Sequence, residues 1–151
     1  EADRRMKTNV IPDQIDINVD IRTLPGESTA EVQAHLSTAL GDLADQVEVE
    51  IIMNDPASVS QMDNPMWDTI QKAVNQPFPS ARLSPQFVVG FTDARVYRNL
   101  GSVAYGAGLF SPDLKSSDFM SRFHGHNERI DVESLSLTTQ FWLDVCHDFL
   151  G

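Results

Sequence analysis

Two histidines, a glycine, an amide and an acid occupy the five consecutive positions His124 to Glu128, inside RFHGHNERI. Imidazole nitrogens and carboxylate oxygens are donors that bind zinc. On a strand, residues two apart point the same way, so His124 and His126 could share one ion, with Glu128 following as a carboxylate ligand. The other reading is a solvated polar loop, and spacing alone does not choose between them. A zinc site needs three or four protein ligands, and the remaining histidines, His35 and His147, fall in predicted helices far away in sequence. Both read as ordinary helix residues, so this chain does not assemble a closed His/Cys site. Its one cysteine, Cys146, lies among apolar neighbours in FWLDVCHDFL and reads as an inert core thiol. It has no partner for an internal disulfide, which is compatible with a reducing compartment.

A second constellation is GFTDARVYR, from Gly90 to Arg98. Gly90 allows a tight turn, Thr92 can cap the next helix, and backbone N–H groups at that helix start would face an anion brought to them. Arg95 and Arg98 are three apart and share a helix face. A guanidinium in a helix's first turn is disfavoured by the helix dipole, so Arg95 needs a compensating partner. A substrate carboxylate, gripped by two parallel hydrogen bonds, would serve. A local pair with Asp93 or another acid would serve equally. In TNVIPDQIDINVDIRTLPGE, Asn9 precedes a Pro-containing turn and Arg22 ends the polar face of a predicted strand. Residue chemistry by itself makes Asn9 a turn cap and Arg22 a solvated strand residue.

These residues need elements to position them. Ile15, Ile17, Val19 and Ile21 alternate with polar residues, the period of a strand with one buried face, and Val47, Val49, Ile51 and Met53 repeat the pattern. Between them, Ser28 and Glu31 have capping-box spacing ahead of Val32, Leu36, Leu40 and Leu43, which predicts an amphipathic helix of about four turns. Strand, helix and strand with one-sided patterns predict half of a small α+β layer. NDPASVSQMDNP has no apolar period and marks a lobe boundary. Asn64 and Pro65 then read as the cap and first position of a helix with Met66, Ile70, Ala73 and Val74 inside, stopped by Pro77 and Pro79. FVVG predicts a short buried strand, Gly101 closes the following helix, and Val132 to Leu150 predicts a long closing helix.

Across 151 residues, 22 acidic side chains face 11 Lys and Arg, a formal net charge of -11. That balance repels phosphate backbones and anionic lipid, which excludes nucleic-acid and membrane-surface binding as leading functions and favours cationic partners, metal ions included. No stretch is long and apolar enough to cross a bilayer, and the first ten residues lack the apolar run of a signal peptide. A soluble, cytoplasmic protein is therefore expected.

Taken in order, NVIPD leading into VDIRTLPG, GFTDARVYRNLG with AYG after it, and HGHNERI before the last helix resemble the zinc aminoacylase and carboxypeptidase family of metallopeptidases. Glutamate carboxypeptidase, acetylornithine deacetylase and succinyl-diaminopimelate desuccinylase are members. The resemblance covers nearly the whole chain. It implies a fold combining α/β and α+β parts: residues 1–58 as the later part of a lid and dimerisation lobe, and residues 59–151 as the C-terminal part of an α/β catalytic domain. It also implies two zinc ions in the full-length enzyme, a small peptide or N-acyl amino acid as substrate, and a homodimer formed through the lid.

His124 matches the family's last metal ligand, whereas His126 falls at a variable position. Gly90, Thr92, Asp93 and Arg95 match a segment lining the substrate pocket, and Asn9 and Arg22 match lid residues that bind the substrate's carboxylate. Phe91 stands where a small residue is common in the family, and it would narrow the pocket. The family's other metal ligands and its general base have no counterpart in residues 1–151, so the chain is expected to be the C-terminal part of an enzyme and inactive by itself. The rivals are a non-catalytic dimerisation or carboxylate-binding module and a plain acidic scaffold.

Overall fold

A computed structural model of the chain describes residue 11 and residues 13–151. Five α-helices appear in it: α1 (Thr29–Leu40), α2 (Pro65–Asn75), α3 (Ala94–Asn99), α4 (Ser116–Met120) and α5 (Val132–Leu150). A 3-10 segment, Gly41–Gln46, continues α1.

α1 begins where its capping box predicts. The Ser28 hydroxyl oxygen accepts from the Glu31 N–H, and the Glu31 carboxylate accepts from the Ser28 N–H at 2.7 Å. The Ser28 N–H and the Ser28 hydroxyl, which both donate to that carboxylate at 2.7 Å, hold the Glu31 carboxyl below its ordinary value, the N–H contributing most. Val32, Leu36 and Leu40 are half-buried, while Leu43 is exposed. Asn64 caps α2 with its side-chain oxygen on the Trp67 N–H at 3.2 Å, and Pro65 fills the first helical position. The Asn64 amide also donates to the Gln61 carbonyl and the Tyr105 hydroxyl, tying the helix start to a loop forty residues on.

The buried core lies between α2 and α5. Ile70, Ala73 and Val74 face Phe141 and Val145, with Met66, Leu83, Tyr105, Ala107 and Leu109 packed around them. At its edge, Thr69 donates to Asp148 at 2.9 Å and Lys72 pairs with the same carboxylate at 3.1 Å. The extended run through Leu109 and Ser111 satisfies its backbone on α5 side chains instead of a neighbouring strand. The Leu109 N–H donates to the Thr138 hydroxyl at 3.0 Å, and the Ser111 N–H donates to the Ser134 hydroxyl at 2.9 Å. Ser134 is fully buried, so its hydroxyl is the backbone's substitute for water there.

Three predicted strands are corrected. Ile15 to Arg22, Val47 to Met53 and Phe87 to Gly90 form no ladder, and the described residues contain no β-strand. Ile15, Ile17 and Val19 are 73%, 78% and 68% exposed, and Phe87, Val88 and Val89 are exposed as well. A strand's N–H and C=O groups project sideways and cannot pair within their own segment, so period-two alternation becomes a strand only beside a second segment in register. The α/β and α+β sheet layers are thus not seen among the described residues, whose regular elements are all helical. Cys146 is a further correction: it is exposed, not a core thiol. α5 turns Ser134, Phe141 and Val145 inward, and Cys146 sits one residue past Val145, about 100° around the helix. None of the helices described is long and apolar enough to cross a membrane.

Candidate functional site

The GFTDARVYR segment folds into α3, a helix of six residues. Its first turn is closed by main-chain oxygens: the Arg95 N–H donates to the Thr92 carbonyl at 3.3 Å and the Val96 N–H to the Asp93 carbonyl at 3.0 Å. Thr92 was expected to cap with its hydroxyl. No side-chain cap forms, because Asp93 is the residue before the helix and is already helical at φ -65 and ψ -13. Gly90 sits at a bend with φ outside the left-handed region, and a Cβ there would meet only Val88 Cγ1 at 3.8 Å. The predicted tight turn therefore does not require glycine. At the other end Gly101, at φ 86, donates to the Arg98 carbonyl at 2.9 Å while the Ser102 N–H donates to the Tyr97 carbonyl at 2.9 Å. That paired closure needs a left-handed residue, which is why a glycine stands there.

Both arginines of α3 reach back to the segment from Asp55 to Ser60. Arg98 donates to the Ala104 carbonyl at 2.6 Å, to the Ser60 hydroxyl at 3.2 Å and to the Ser58 carbonyl at 3.3 Å. Arg95 pairs with Asp55 at 2.7 Å. Of the two readings left open by the sequence, the local ion pair is the one formed here, and its acid is Asp55 and not Asp93. Arg22 pairs with Asp20, two residues before it.

Arg22 and Arg95 also converge. The guanidinium carbon of Arg22 lies 5.8 Å from the centre of the Phe91 ring, and that of Arg95 lies 5.3 Å from the same point. Both are within the range over which an aromatic face attracts a cation. Residues expected to bind a carboxylate from two separate parts of the sequence therefore meet on one ring. Each guanidinium commits one terminal nitrogen to its aspartate, out of five N–H donors.

The histidine stretch is a loop between α4 and α5, closed at its base by Arg122 and Asp131 at 2.7 Å. Asp131 is the N-cap of α5: one oxygen accepts from the Ser134 N–H at 2.8 Å and the other from the Ser134 hydroxyl at 2.9 Å. The Ser134 N–H, then its hydroxyl, and to a lesser degree Arg122 hold the Asp131 carboxyl down to about 2, against the opposing effect of desolvation. Phe119 stacks edge-on against Phe110 at 4.6 Å and Phe123 at 4.7 Å, supporting the loop from below.

Within that loop His124 has φ 55 and Asn127 has φ 63. The left-handed conformation costs a non-glycine residue roughly 1–2 kcal/mol, so the closed base holds His124 in a strained backbone. His124, His126 and Glu128 are exposed. The same-side rule that would let His124 and His126 share an ion applies to strands and does not hold here. Among the described residues no group of three or more His, Cys, Asp and Glu could hold a metal ion. His35 lies in α1 and His147 in α5, as the sequence indicated. Among the described residues no hydrogen bond or ion pair joins the His124 loop to the cluster of Arg22, Phe91 and Arg95. Asn9 falls outside the described residues.

Sequence reasoning missed Asp55, Phe91 as a shared partner, and the Arg122–Asp131 closure. Only the last left a signal, since an aspartate directly before a helix reads as a cap.

No solved structure matches the chain. Among curated relatives, "Probable carboxypeptidase S-like 2" of Dictyostelium discoideum is 28% identical over 90% of this chain and 26% of its own length. "N-fatty-acyl-amino acid synthase/hydrolase PM20D1" of Xenopus tropicalis is 30% identical over 93% of this chain and 27% of its length. The Homo sapiens protein of that name is 29% identical over 90% of the chain and 27% of its length. The chain thus spans about a quarter of the length of the relatives it matches. Because the model of Peptidase family M20/M25/M40 matches residues 5–148, nearly all of the sequence, the chain belongs to that family.

Proposed function

We propose that the protein carrying this chain is a zinc-dependent hydrolase that cleaves a peptide or N-acyl amide bond next to a free carboxylate. In this reading the chain supplies the carboxylate grip. The supporting observation is the meeting of Arg22 and Arg95 on Phe91. Relatives named as a probable carboxypeptidase S-like protein and as N-fatty-acyl-amino acid synthase/hydrolases support the same substrate feature, a carboxylate beside the amide.

The chain's net charge of -11 opposes the approach of an anionic substrate, so local guanidiniums must hold it. Arg22 and Arg95 would each present their remaining N–H donors to the carboxylate. Gly90, Thr92 and Asp93, adjoining Phe91 and Arg95, would line the pocket, and Asn9 would add a side-chain amide. His124 would contribute one ligand; among the described residues no group of three or more His, Cys, Asp and Glu could hold a metal ion, so the remaining ligands are not supplied by them. Zinc, when bound, would supply an activated water. The other ligands, a second zinc and the general base would come from outside residues 1–151, so the chain alone would be inactive. Residues 1–58 would belong to a lid through which two copies pair, and residues 59–151 to the catalytic domain.

The test uses the full-length protein and a matched pair of substrates, an N-acyl amino acid and its carboxamide. Arg22→Ala or Arg95→Ala should raise KM for the acid roughly 10- to 100-fold, the value of a lost hydrogen bond to a charged group, and leave the carboxamide little changed. Equal effects on both substrates refute the grip. His124→Ala should abolish activity and lower zinc content, and unchanged turnover and metal content would remove that residue's role.

A further inference from the structure

We propose that Phe91 is a positioning residue whose ring holds the Arg22 and Arg95 guanidiniums together as one clamp for the substrate carboxylate; this rests on the carboxylate-binding reading above. Two positive groups against one ring repel each other, and each has its own acid partner. Asp20 holds Arg22 from two residues away, and Asp55 holds Arg95 from the segment before α2. Neither acid contacts both arginines among the described ion pairs. The shared element is the Phe91 ring, with guanidinium carbons 5.8 and 5.3 Å from its centre. By geometry the two charges cannot lie farther apart than the sum of those distances.

Burial does not account for the placement of this ring. Phe91 is 57% exposed and stands apart from the core between α2 and α5. An aromatic face carries negative potential, and two cations near one ring gain attraction that partly offsets their repulsion. A leucine would fill similar space without that potential, whereas tryptophan keeps and strengthens it. Phe91 thus links a residue near the start of the described chain to one in α3, and its effect should appear in ground-state binding of the carboxylate.

The experiment measures KM and kcat of the full-length, zinc-loaded protein on an N-acyl amino acid and its carboxamide. Phe91→Leu should raise KM for the acid about 3- to 10-fold more than KM for the carboxamide, with kcat for the acid within about two-fold, a range set by exposed cation–π contacts. Phe91→Trp should retain the parent KM. In an Arg95→Ala background the effect of Phe91→Leu should largely disappear, because the clamp is already broken. The inference is overturned if leucine and tryptophan act alike, if the acid and carboxamide shift together, or if the two substitutions are additive. Should Arg22→Ala and Arg95→Ala fail to separate acid from carboxamide, the carboxylate reading itself falls; if they separate them and Phe91→Leu does not, only the role of Phe91 falls.

Discussion

Replacing Phe141 by alanine removes the largest side chain sealed between α2 and α5. Its ring is 1% exposed, lies in the core with Ile70, Ala73, Val74 and Val145, and meets Trp142 edge-on at 5.0 Å. Deleting a ring from such a site costs its transfer free energy and leaves a cavity, about 3–5 kcal/mol in all. Phe141→Leu keeps most of the volume and loses the edge-on aromatic contact, so about 1–1.5 kcal/mol is expected. Leu135→Ala is the control on the same helix: Leu135 is exposed, and its loss should lie within about 0.5 kcal/mol of the parent. Urea unfolding of the full-length protein, with stabilities compared at unchanged m value, measures the series. An alanine effect below about 1.5 kcal/mol, or one equal to the Leu135 control, would refute the placement of Phe141 between the helices.

Asp131 makes stability depend on pH. Its folded pKa, about 2, lies below the ordinary 3.8, so the stabilisation it gives is complete above about pH 5 and is lost as pH falls through 3.8 toward and below 2. The Tm gap between the parent and Asp131→Asn should therefore shrink over that window, and a gap constant from pH 5 to 2 would contradict the cap. Asp148, lowered by Lys72 and Thr69, should steepen the same acid limb in both proteins. Arg98→Ala should cost at least about 1.5 kcal/mol, one hydrogen bond to a charged group, and raise KM by loosening α3 against the segment from Asp55 to Ser60. Arg98→Lys should not restore either, since an ammonium cannot span the acceptors that the guanidinium fork reaches. Recovery by lysine would show that charge alone matters there.

Local signals in the sequence carried α1, α2 and α5 and the end of α3, while α4 left none that was read. Ser28 with Glu31, Asn64 with Pro65, and Gly101 each satisfy or terminate backbone groups within a few residues, so their geometry follows from neighbours in the chain. α5 spans Val132–Leu150, the stretch its apolar spacing indicated, and α2 buries Ile70, Ala73 and Val74 on the face that was expected. The face of α5 was less legible: Cys146, Trp142 and Phe149 lie near the same spacing as Val145 and Phe141 but are left exposed. A helix's apolar stripe is wider than the strip its partner covers, and the partner decides which residues are sealed.

The sequence by itself determined the starts of α1 and α2, the close of α3 and the span of α5, which family's motifs occur in order, and which residue types are available to hold a carboxylate or a metal. Tertiary structure alone decided that Arg95 takes Asp55, that Arg22 and Arg95 share one aromatic ring, and that His124 stands in a strained loop closed by Arg122 and Asp131. It also decided that alternating segments such as Ile15 to Arg22 make no ladder among the described residues. The physical reason is range: caps and turns are satisfied by atoms a few bonds away, whereas ion pairs between distant segments, cation–π contacts and strand pairing depend on what the folded chain brings beside them.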